Sequence, residues 1–139
     1  MLIMIVDDDE AVRDVLCSFL EKKGYQTMAV PDGQSSISDA EHNKPDLVLL
    51  DIKMPGLSGI ETCYRLKQMF QSSPPTGVII ITAYDSYENV EKAYSLGAID
   101  LIKKPFDLSD VNQRINAWFD VRNIENEVVQ MRLYSEKIG

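Results

Sequence analysis

The sequence predicts a doubly wound α/β domain built on a five-stranded parallel sheet. Short apolar runs of strand length alternate five times with longer amphipathic runs of helical length, which is the pattern of repeated β-α units. Three of the short runs contain a stretch that is apolar at every position, as expected for strands covered by helices on both faces; these stretches are Leu2–Val6, Leu47–Leu50 and Val78–Ile81. The 139 residues suffice for one domain with a core of its own.

The predicted strands also indicate the order of the sheet. They lie at residues 2–6, 25–30, 46–50, 77–82 and 99–102. The second strand is mixed in polarity and the fifth is interrupted by Asp100, so both suit the edges. With right-handed crossovers, the order 2-1-3-4-5 places them there. Strands one and three then end side by side at the topological switch point, where open α/β sheets bind ligands.

Helix signals occupy the segments between the strands. Helices are predicted at residues 10–22, 34–43, 59–70, 86–95 and from 108 onward. Ser58 and Glu61, like Asp85 and Glu88, have the spacing of a capping box, and Asp107 is suited to cap the last helix.

The last helix is predicted to extend beyond the domain. Apolar residues continue past Trp118 as a heptad seam interrupted at Ser135, formed by Val121, Ile124, Val128, Met131 and Ile138. We therefore divide the chain into a domain at residues 1–120 and an extended helix at residues 121–139. The extension is interpreted as a coiled-coil linker to an output domain or to a second copy in a homodimer. A solvated, frayed tail is the alternative.

Composition and charge exclude several classes of function. The net charge of −8 argues against nucleic acid contact through this chain. No apolar run approaches the roughly 20 residues that span a membrane, and the first strand begins at Leu2, leaving no room for a signal peptide. Cys17 and Cys63 lack metal-binding spacing, so we expect reduced thiols. These features predict a cytoplasmic protein without membrane contact.

Acidic residues follow the first and third predicted strands. Asp7, Asp8, Asp9 and Glu10 follow the first, and Asp51 follows the third. Parallel strands end at one edge of the sheet, so these carboxylates are expected to meet. Two unit charges 4 Å apart repel by roughly 4 kcal/mol at an effective dielectric near 20, so such a cluster is typical of a cation site. Oxygen ligands favour Mg²⁺ or Mn²⁺ over zinc, whereas Asp9 and Glu10 suit a helix start.

Two more polar residues are expected at the same edge. Thr82 ends the fourth predicted strand and Lys104 follows the fifth. A metal held by two carboxylates keeps open positions for water and a phosphoryl oxygen. Thr82 and Lys104 are suited to hold the remaining phosphoryl oxygens. An aspartate can itself be the nucleophile in such a transfer, giving an acyl phosphate.

Four motifs at these strand ends together resemble the receiver domains of two-component response regulators. They are Val6-Asp7-Asp8-Asp9, Asp51 with Met54-Pro55-Gly56 and Gly59, Thr82-Ala83, and Lys104-Pro105-Phe106. Each motif alone is weak, but all four occur in order over about residues 1–120. The resemblance implies a flavodoxin-like, CheY-like fold and a signalling phosphoacceptor rather than a metabolic enzyme.

The resemblance also implies a metal site and a phosphoacceptor. Asp51 matches the phosphoacceptor. Asp8 matches the direct ligand of Mg²⁺ (or Mn²⁺), and Asp7 matches a ligand that acts largely through water. Asp51 and the backbone carbonyl of Lys53 complete the protein ligands.

Other positions match the family's switch. Thr82 matches the hydroxyl that moves toward the phosphoryl group, and Lys104 matches the lysine that pairs with it; its bond to Pro105 is expected to be cis. The donor would be a sensor histidine kinase, and in-line water would remove the phosphoryl group. The face formed by residues 86–120 would then control an output domain or partner, including one that regulates transcription.

One position departs from the family's pattern. Three residues before Lys104 the family usually has an aromatic residue that moves with the threonine, and here it is Leu101. Leucine has no ring or hydroxyl to exchange between inside and outside. Tyr84 and Tyr87, downstream of Thr82, are the alternative switch elements.

A phosphatase is the alternative function. Asp7 and Asp9 form the Asp-x-Asp of haloacid-dehalogenase-like phosphatases. Against this, Ala11 stands where that family has a hydroxyl residue, no downstream acidic pair is available, and Asp51 would have no role.

Overall fold

The computed structural model describes residues 1–71, 74–83 and 87–139, without the side chain of Tyr87. The strands are β1 (Leu2–Val6), β2 (Gln26–Val30), β3 (Leu47–Leu50), β4 (Gly77–Thr82) and β5 (Asp100–Lys103). The helices are α1 (Glu10–Lys22), α2 (Gly33–His42), α3 (Gly59–Met69), α4 (Tyr87–Ser95), α5 (Leu108–Val121) and α6 (Glu127–Ile138). The strands form one parallel sheet in the order β2-β1-β3-β4-β5, which confirms the predicted topology.

Helices cover both faces of the sheet. In β1, Ile3 and Ile5 pack with residues of α1 and α5, whereas Met4 and Val6 pack with residues of α2 and α3. Every residue of β3 and β4 is buried, while β2 and β5 at the edges are partly exposed. The polarity of each strand therefore follows the number of neighbours that cover it.

Capping side chains fix helix starts near the sheet edge. Ser58 Oγ accepts a hydrogen bond from the Glu61 amide at 3.1 Å, and the Asp107 carboxylate accepts one from the Ser109 amide at 2.8 Å. Both caps were predicted from the sequence. The predicted Asp85–Glu88 cap lies outside the described residues.

The cysteines are free thiols, as predicted. Cys17 is partly buried and Cys63 is buried. Burial raises the pKa of the Cys63 thiol to about 11, so it is protonated at neutral pH.

None of the helices within the described part of the chain combines the length and the apolar character needed to cross a membrane.

The register of the sheet brings the motif residues together. Val6 of β1 pairs with Leu50 of β3, so the residues that follow them, Asp7 and Asp51, lie side by side. Thr82 of β4 pairs with Lys103 of β5, the residue before Lys104.

The C-terminal segment is helical, but it forms two helices rather than the single extended helix that we predicted. The first segment, α5, ends at Val121, and α6 begins at Glu127 and folds back along α5. Gln130 Nε2 donates to the carbonyl oxygens of Val121 and Arg122 at 3.2 and 3.3 Å. Gln113 Nε2 donates to the carbonyl oxygen of Lys137 at 3.3 Å.

Burial against the domain explains this difference. Tyr134 is 1% exposed and joins the core that contains Trp118 and Val121. Met131 and Ile138 of the predicted seam pack against the same core, whereas Val128 remains 80% exposed. The seam is therefore divided between the core and solvent, because docking on the domain buries more apolar surface than a lone extended helix.

Candidate functional site

Three carboxylates converge at the carboxyl ends of β1 and β3. One oxygen from each of Asp7, Asp8 and Asp51 lies within 4.8 Å of the others. Asp7 and Asp51 are buried, and Asp8 is exposed to solvent. The buried pair is fixed by the sheet, while Asp8 faces the opening of the site.

Lys104 balances the charge of the two buried carboxylates. Its Nζ atom lies 2.7 Å from Asp7 Oδ2 and 3.0 Å from Asp51 Oδ2. Burial lowers the pKa of Lys104, but its hydrogen bonds with both aspartates outweigh this and raise the pKa above the ordinary lysine value. Burial raises the pKa of Asp7, and the contact with Lys104 offsets this only in part. The ammonium group thus supplies a positive charge and hydrogen bonds in place of the hydration that the carboxylates lose on burial.

The loop after β3 holds Asp51 from the other side. Asp51 Oδ1 accepts a hydrogen bond from the Lys53 amide at 3.0 Å. Gly59 donates its amide to the carbonyl oxygen of Ile52 at 3.0 Å. A Cβ at Gly59 would stand 2.3 Å from Ile52 Cα and 2.5 Å from the Asp51 carbonyl oxygen. The glycine in this motif is therefore explained by the close approach of α3 to the Asp51 backbone.

Thr82 and Lys104 are joined through their backbones. The Thr82 carbonyl oxygen accepts a hydrogen bond from the Lys104 amide at 2.9 Å. Thr82 is fully buried. The Lys104-Pro105 bond is cis, as the resemblance implied. The ends of β4 and β5 are therefore held together next to the site.

Asp9 serves the start of α1. Its Oδ1 atom accepts a hydrogen bond from the Ala11 amide at 2.9 Å, and its own amide donates to Asp7 Oδ1 at 2.9 Å. The carboxylate of Asp9 is thus used as a helix cap, which agrees with its predicted role at a helix start. The Asp7/Asp9 pairing of a dehalogenase-like phosphatase has no support in this arrangement.

Arg13 is a site neighbour that sequence reasoning missed. Its Nη1 atom donates to the backbone carbonyl oxygen of Asp7 at 2.8 Å. The sequence offered one indication of this contact. Arg13 is a basic residue one helical turn after the Asp9 cap, on the side of α1 nearest the end of β1.

Among the candidate switch residues at the aromatic position, the structure describes Leu101. Leu101 is partly buried and packs against the core on the α2–α4 face. Tyr84 and the side chain of Tyr87 lie outside the described residues, so their role remains a prediction.

The donor set suits a small divalent cation. All three candidate side-chain ligands are carboxylates, without sulfur or imidazole, which favours Mg²⁺ over zinc. Oxygen ligands on opposite sides of Mg²⁺ stand about 4 Å apart. The three carboxylate oxygens lie within 4.8 Å of one another, so a slight approach of the carboxylates, or a water between one of them and the ion, would complete the coordination. The residues therefore fit the ion that the resemblance implied.

Comparisons with known proteins agree with this geometry. The family model "Response regulator receiver domain" matches residues 3–116. The chain is 37% identical over 115 residues to the alkaline phosphatase synthesis transcriptional regulatory protein PhoP of Bacillus subtilis, covering 83% of this chain and 47% of that protein. It is 34% identical over 121 residues to sporulation initiation phosphotransferase F of the same organism, covering 87% and 95%. The chain thus spans about half of the first relative and nearly all of the second.

A solved structure gives the same result at the level of the fold. A CheY-like response regulator receiver domain from Methanospirillum hungatei superposes with a TM-score of 0.84 and 30% identity, covering 90% of this chain and 98% of that one. Receiver domains are signalling modules rather than classical enzymes, and they are phosphorylated on an aspartate in a Mg²⁺-dependent reaction. This chain belongs to the response regulator receiver domain family of two-component signalling.

Proposed function

We propose that Asp51 accepts a phosphoryl group from a sensor histidine kinase and thereby controls an output domain or partner. The observation that carries the proposal is the position of Asp51, which is buried, contacts Lys104 at 3.0 Å and shares a cluster with two more carboxylates. A carboxylate with only a structural role would not need two further carboxylates and a lysine beside it.

Asp7, Asp8 and Asp51, with the backbone carbonyl of Lys53, are proposed to hold Mg²⁺ (or Mn²⁺). When bound, the ion offsets the carboxylate charge and polarises a phosphoryl oxygen. The exposed position of Asp8 supports its role as a direct ligand at the opening. The burial of Asp7 and its contact with Lys104 suit contact through water.

The transfer itself uses the chain's own residues. A carboxylate oxygen of Asp51 forms a bond to phosphorus while the bond from phosphorus to the kinase histidine nitrogen breaks. Lys104 pairs with one phosphoryl oxygen and the Thr82 hydroxyl donates to another. In a separate hydrolysis step, an in-line water forms a bond to phosphorus while the bond from phosphorus to the Asp51 oxygen breaks, which releases inorganic phosphate and restores the carboxylate. These two reactions are the only catalysis proposed for the chain.

Charge supplies the energy for the switch. A phosphoryl group adds about −1.5 to −2 charges beside Asp7. Moving a two-state switch from 1:99 to 99:1 takes roughly 5.5 kcal/mol. Fixing the dianion with Lys104 and Thr82 is the proposed source, because both are linked to β5 and the face at residues 86–120.

We infer the location and the partners of this chain from its family. We propose a cytoplasmic protein that meets a histidine kinase and makes no direct nucleic acid contact, in keeping with its net charge of −8. Residues 121–139 are proposed to lead from the receiver at residues 1–120 to an output domain or a second copy. The name of PhoP supports an output in transcription.

Mass spectrometry of the intact chain tests this function. After incubation with Mg²⁺ and acetyl phosphate, we expect one labile phosphoryl group on the wild type and none on Asp51→Asn. The matched control Asp9→Asn changes a neighbouring aspartate that caps α1 and should still be modified. Absence of the adduct in the wild type, or its persistence in Asp51→Asn, would overturn the proposal.

A further inference from the structure

A buried hydrogen-bond network joins α6 to β5. Tyr134 Oη donates to Asp100 Oδ2 at 2.6 Å, and Arg114 Nη1 forms an ion pair with the same oxygen. The Leu101 amide donates to Asp100 Oδ1 at 2.7 Å. Tyr134 is 1% exposed and Asp100 is 7% exposed. A carboxylate this deeply buried needs its partners, and Tyr134 is the partner that α6 contributes.

The same strand reaches the candidate phosphorylation site. Asp100 is the first residue of β5, and Lys104 follows its last residue and contacts Asp51. The distance from Asp100 to Lys104 along the strand is about 13 Å at 3.3 Å per residue. Among the described strands, β5 lies at the edge of the sheet and has β4 as its one neighbour. β5 is therefore the direct covalent connection between Lys104 at the site and Asp100 beneath α6.

Tyr134 is the central polar anchor of α6. Gln130 makes two bonds of 3.2 and 3.3 Å at the turn between the helices. The ion pair between Lys137 and Asp120 is 3.4 Å long and exposed on both sides, so it adds little. Val128 is 80% exposed. The docking of α6 thus depends on Tyr134, Gln130 and the apolar contacts that Met131, Leu133 and Ile138 make with the core.

We propose that α6 is a latch over α5 and the start of β5, fastened by Tyr134 on Asp100, and that phosphorylation of Asp51 loosens it through Lys104 and β5. The inference rests on the function proposed above for Asp51. Release uncovers the side of α5 beneath α6. In the docked state, Tyr134 places an aromatic hydroxyl on Asp100 of β5, the strand in which Leu101 stands at the family's aromatic position.

Hydrogen exchange in the full chain tests the fastening. Tyr134→Phe keeps the ring and removes only the hydroxyl, whereas the control Tyr64→Phe does the same at an exposed site on α3. We expect amides at residues 127–138 to exchange about tenfold faster in Tyr134→Phe, as for loss of a bond to a charged acceptor. Amides of β1 and β3 should be unchanged, which shows that the fold is intact. Exchange in α6 equal to wild type would overturn the latch.

The coupling is tested in the wild type, without any substitution. Intact mass first shows whether acetyl phosphate and Mg²⁺ modify the chain, and exchange is then measured on the modified protein. We expect α6 exchange to rise by at least about fivefold, the lower end of usual coupling between sites. A complete adduct with unchanged α6 exchange overturns the latch and leaves the proposed function standing. No adduct overturns both.

Reciprocity gives an independent measurement. If phosphorylation loosens α6, then a loosened α6 must favour the phosphorylated form by the same factor. Tyr134→Phe should therefore bind beryllofluoride, an analogue of the phosphoryl group, more tightly than Tyr64→Phe in the presence of Mg²⁺. Equal affinities in the two variants would contradict the coupling.

Discussion

Lys104 Nζ lies 3.0 Å from Asp51 Oδ2, which ties the end of β5 directly to the end of β3. The same atom lies 2.7 Å from Oδ2 of Asp7, the residue that follows β1. One ammonium group therefore holds two buried carboxylates together and occupies oxygens that a metal or a phosphoryl group would also engage. Phosphorylation of Asp51 would therefore change the contacts of this lysine, which directly follows β5.

The first prediction concerns competition between Lys104 and Mg²⁺. Lys104→Met keeps the side-chain length and removes the charge, so Mg²⁺ no longer meets a like charge on the same oxygens. At an effective dielectric near 20 such repulsion amounts to a few kcal/mol at about 4 Å. We expect Mg²⁺ affinity, measured by calorimetry, to rise about tenfold. Lys103→Met, at the exposed neighbouring position, is the control, and equal affinities in the two variants would refute the prediction.

The second prediction concerns Gly59. Because a Cβ there would stand 2.3 Å from Ile52 Cα and 2.5 Å from the Asp51 carbonyl oxygen, Gly59→Ala must shift backbone beside the site. We expect a loss of about 2–3 kcal/mol in the free energy of unfolding in urea, as in other overpacked sites. Gly56 has a φ of +79° with open space around it, so Gly56→Ala should cost only about 1 kcal/mol. A Gly59→Ala protein as stable as wild type would refute the steric account.

The third prediction concerns acid stability. Burial raises the pKa of Asp46, but bonds from the Leu2 amide at 2.7 Å and Arg122 Nη1 at 2.8 Å outweigh it, so the net pKa is lowered. A carboxyl whose pKa is lower when folded stabilises the protein above its unfolded pKa of about 3.9, and this stability is lost as pH falls through the folded value.

Urea unfolding at a series of pH values measures this effect. Asp46→Asn should be less stable than wild type at neutral pH, and the difference should shrink as pH falls below about 4. Asp39→Asn, at an exposed position on α2, should show no comparable change. A stability difference that stays constant down to low pH would show that Asp46 does not titrate as described.

The fourth prediction separates phosphorylation from its transmission. Thr82→Ala should still gain a phosphoryl group on Asp51, since the acids and Lys104 remain. Without the hydroxyl, the change in amide exchange over α4, β5 and α5 should be largely lost. Thr82→Ser restores the hydroxyl and should restore most of the change. A full exchange response in Thr82→Ala would exclude the threonine as a switch.

The sequence predicts the sheet because polarity reports burial strand by strand. Every residue of β3 and β4 is buried, and the mixed strands β2 and β5 lie at the edges. The convergence of Asp7 and Asp51 follows from parallel strands ending at one edge. Arg13 is harder to predict, because its bond to the Asp7 carbonyl depends on a side-chain direction rather than on a motif.

The fold-back of α6 lies beyond such reasoning. A heptad seam shows that one stripe of a helix is apolar, but not which surface covers it. Asp100 meets Arg114 and Tyr134, which are 14 and 34 residues away, and no local pattern indicates those pairings. From the sequence, Asp100 is only an interruption in a strand, whereas in the folded chain it anchors α6.

The most direct test of the central claim is to locate the phosphoryl group. Wild-type chain treated with Mg²⁺ and acetyl phosphate, and then digested under conditions that preserve acyl phosphates, should carry the group only on the peptide that contains Asp51. It should be absent when Mg²⁺ is chelated. A phosphoryl group on any other residue, or modification that does not depend on Asp51, would contradict the assignment of Asp51 as the phosphoacceptor.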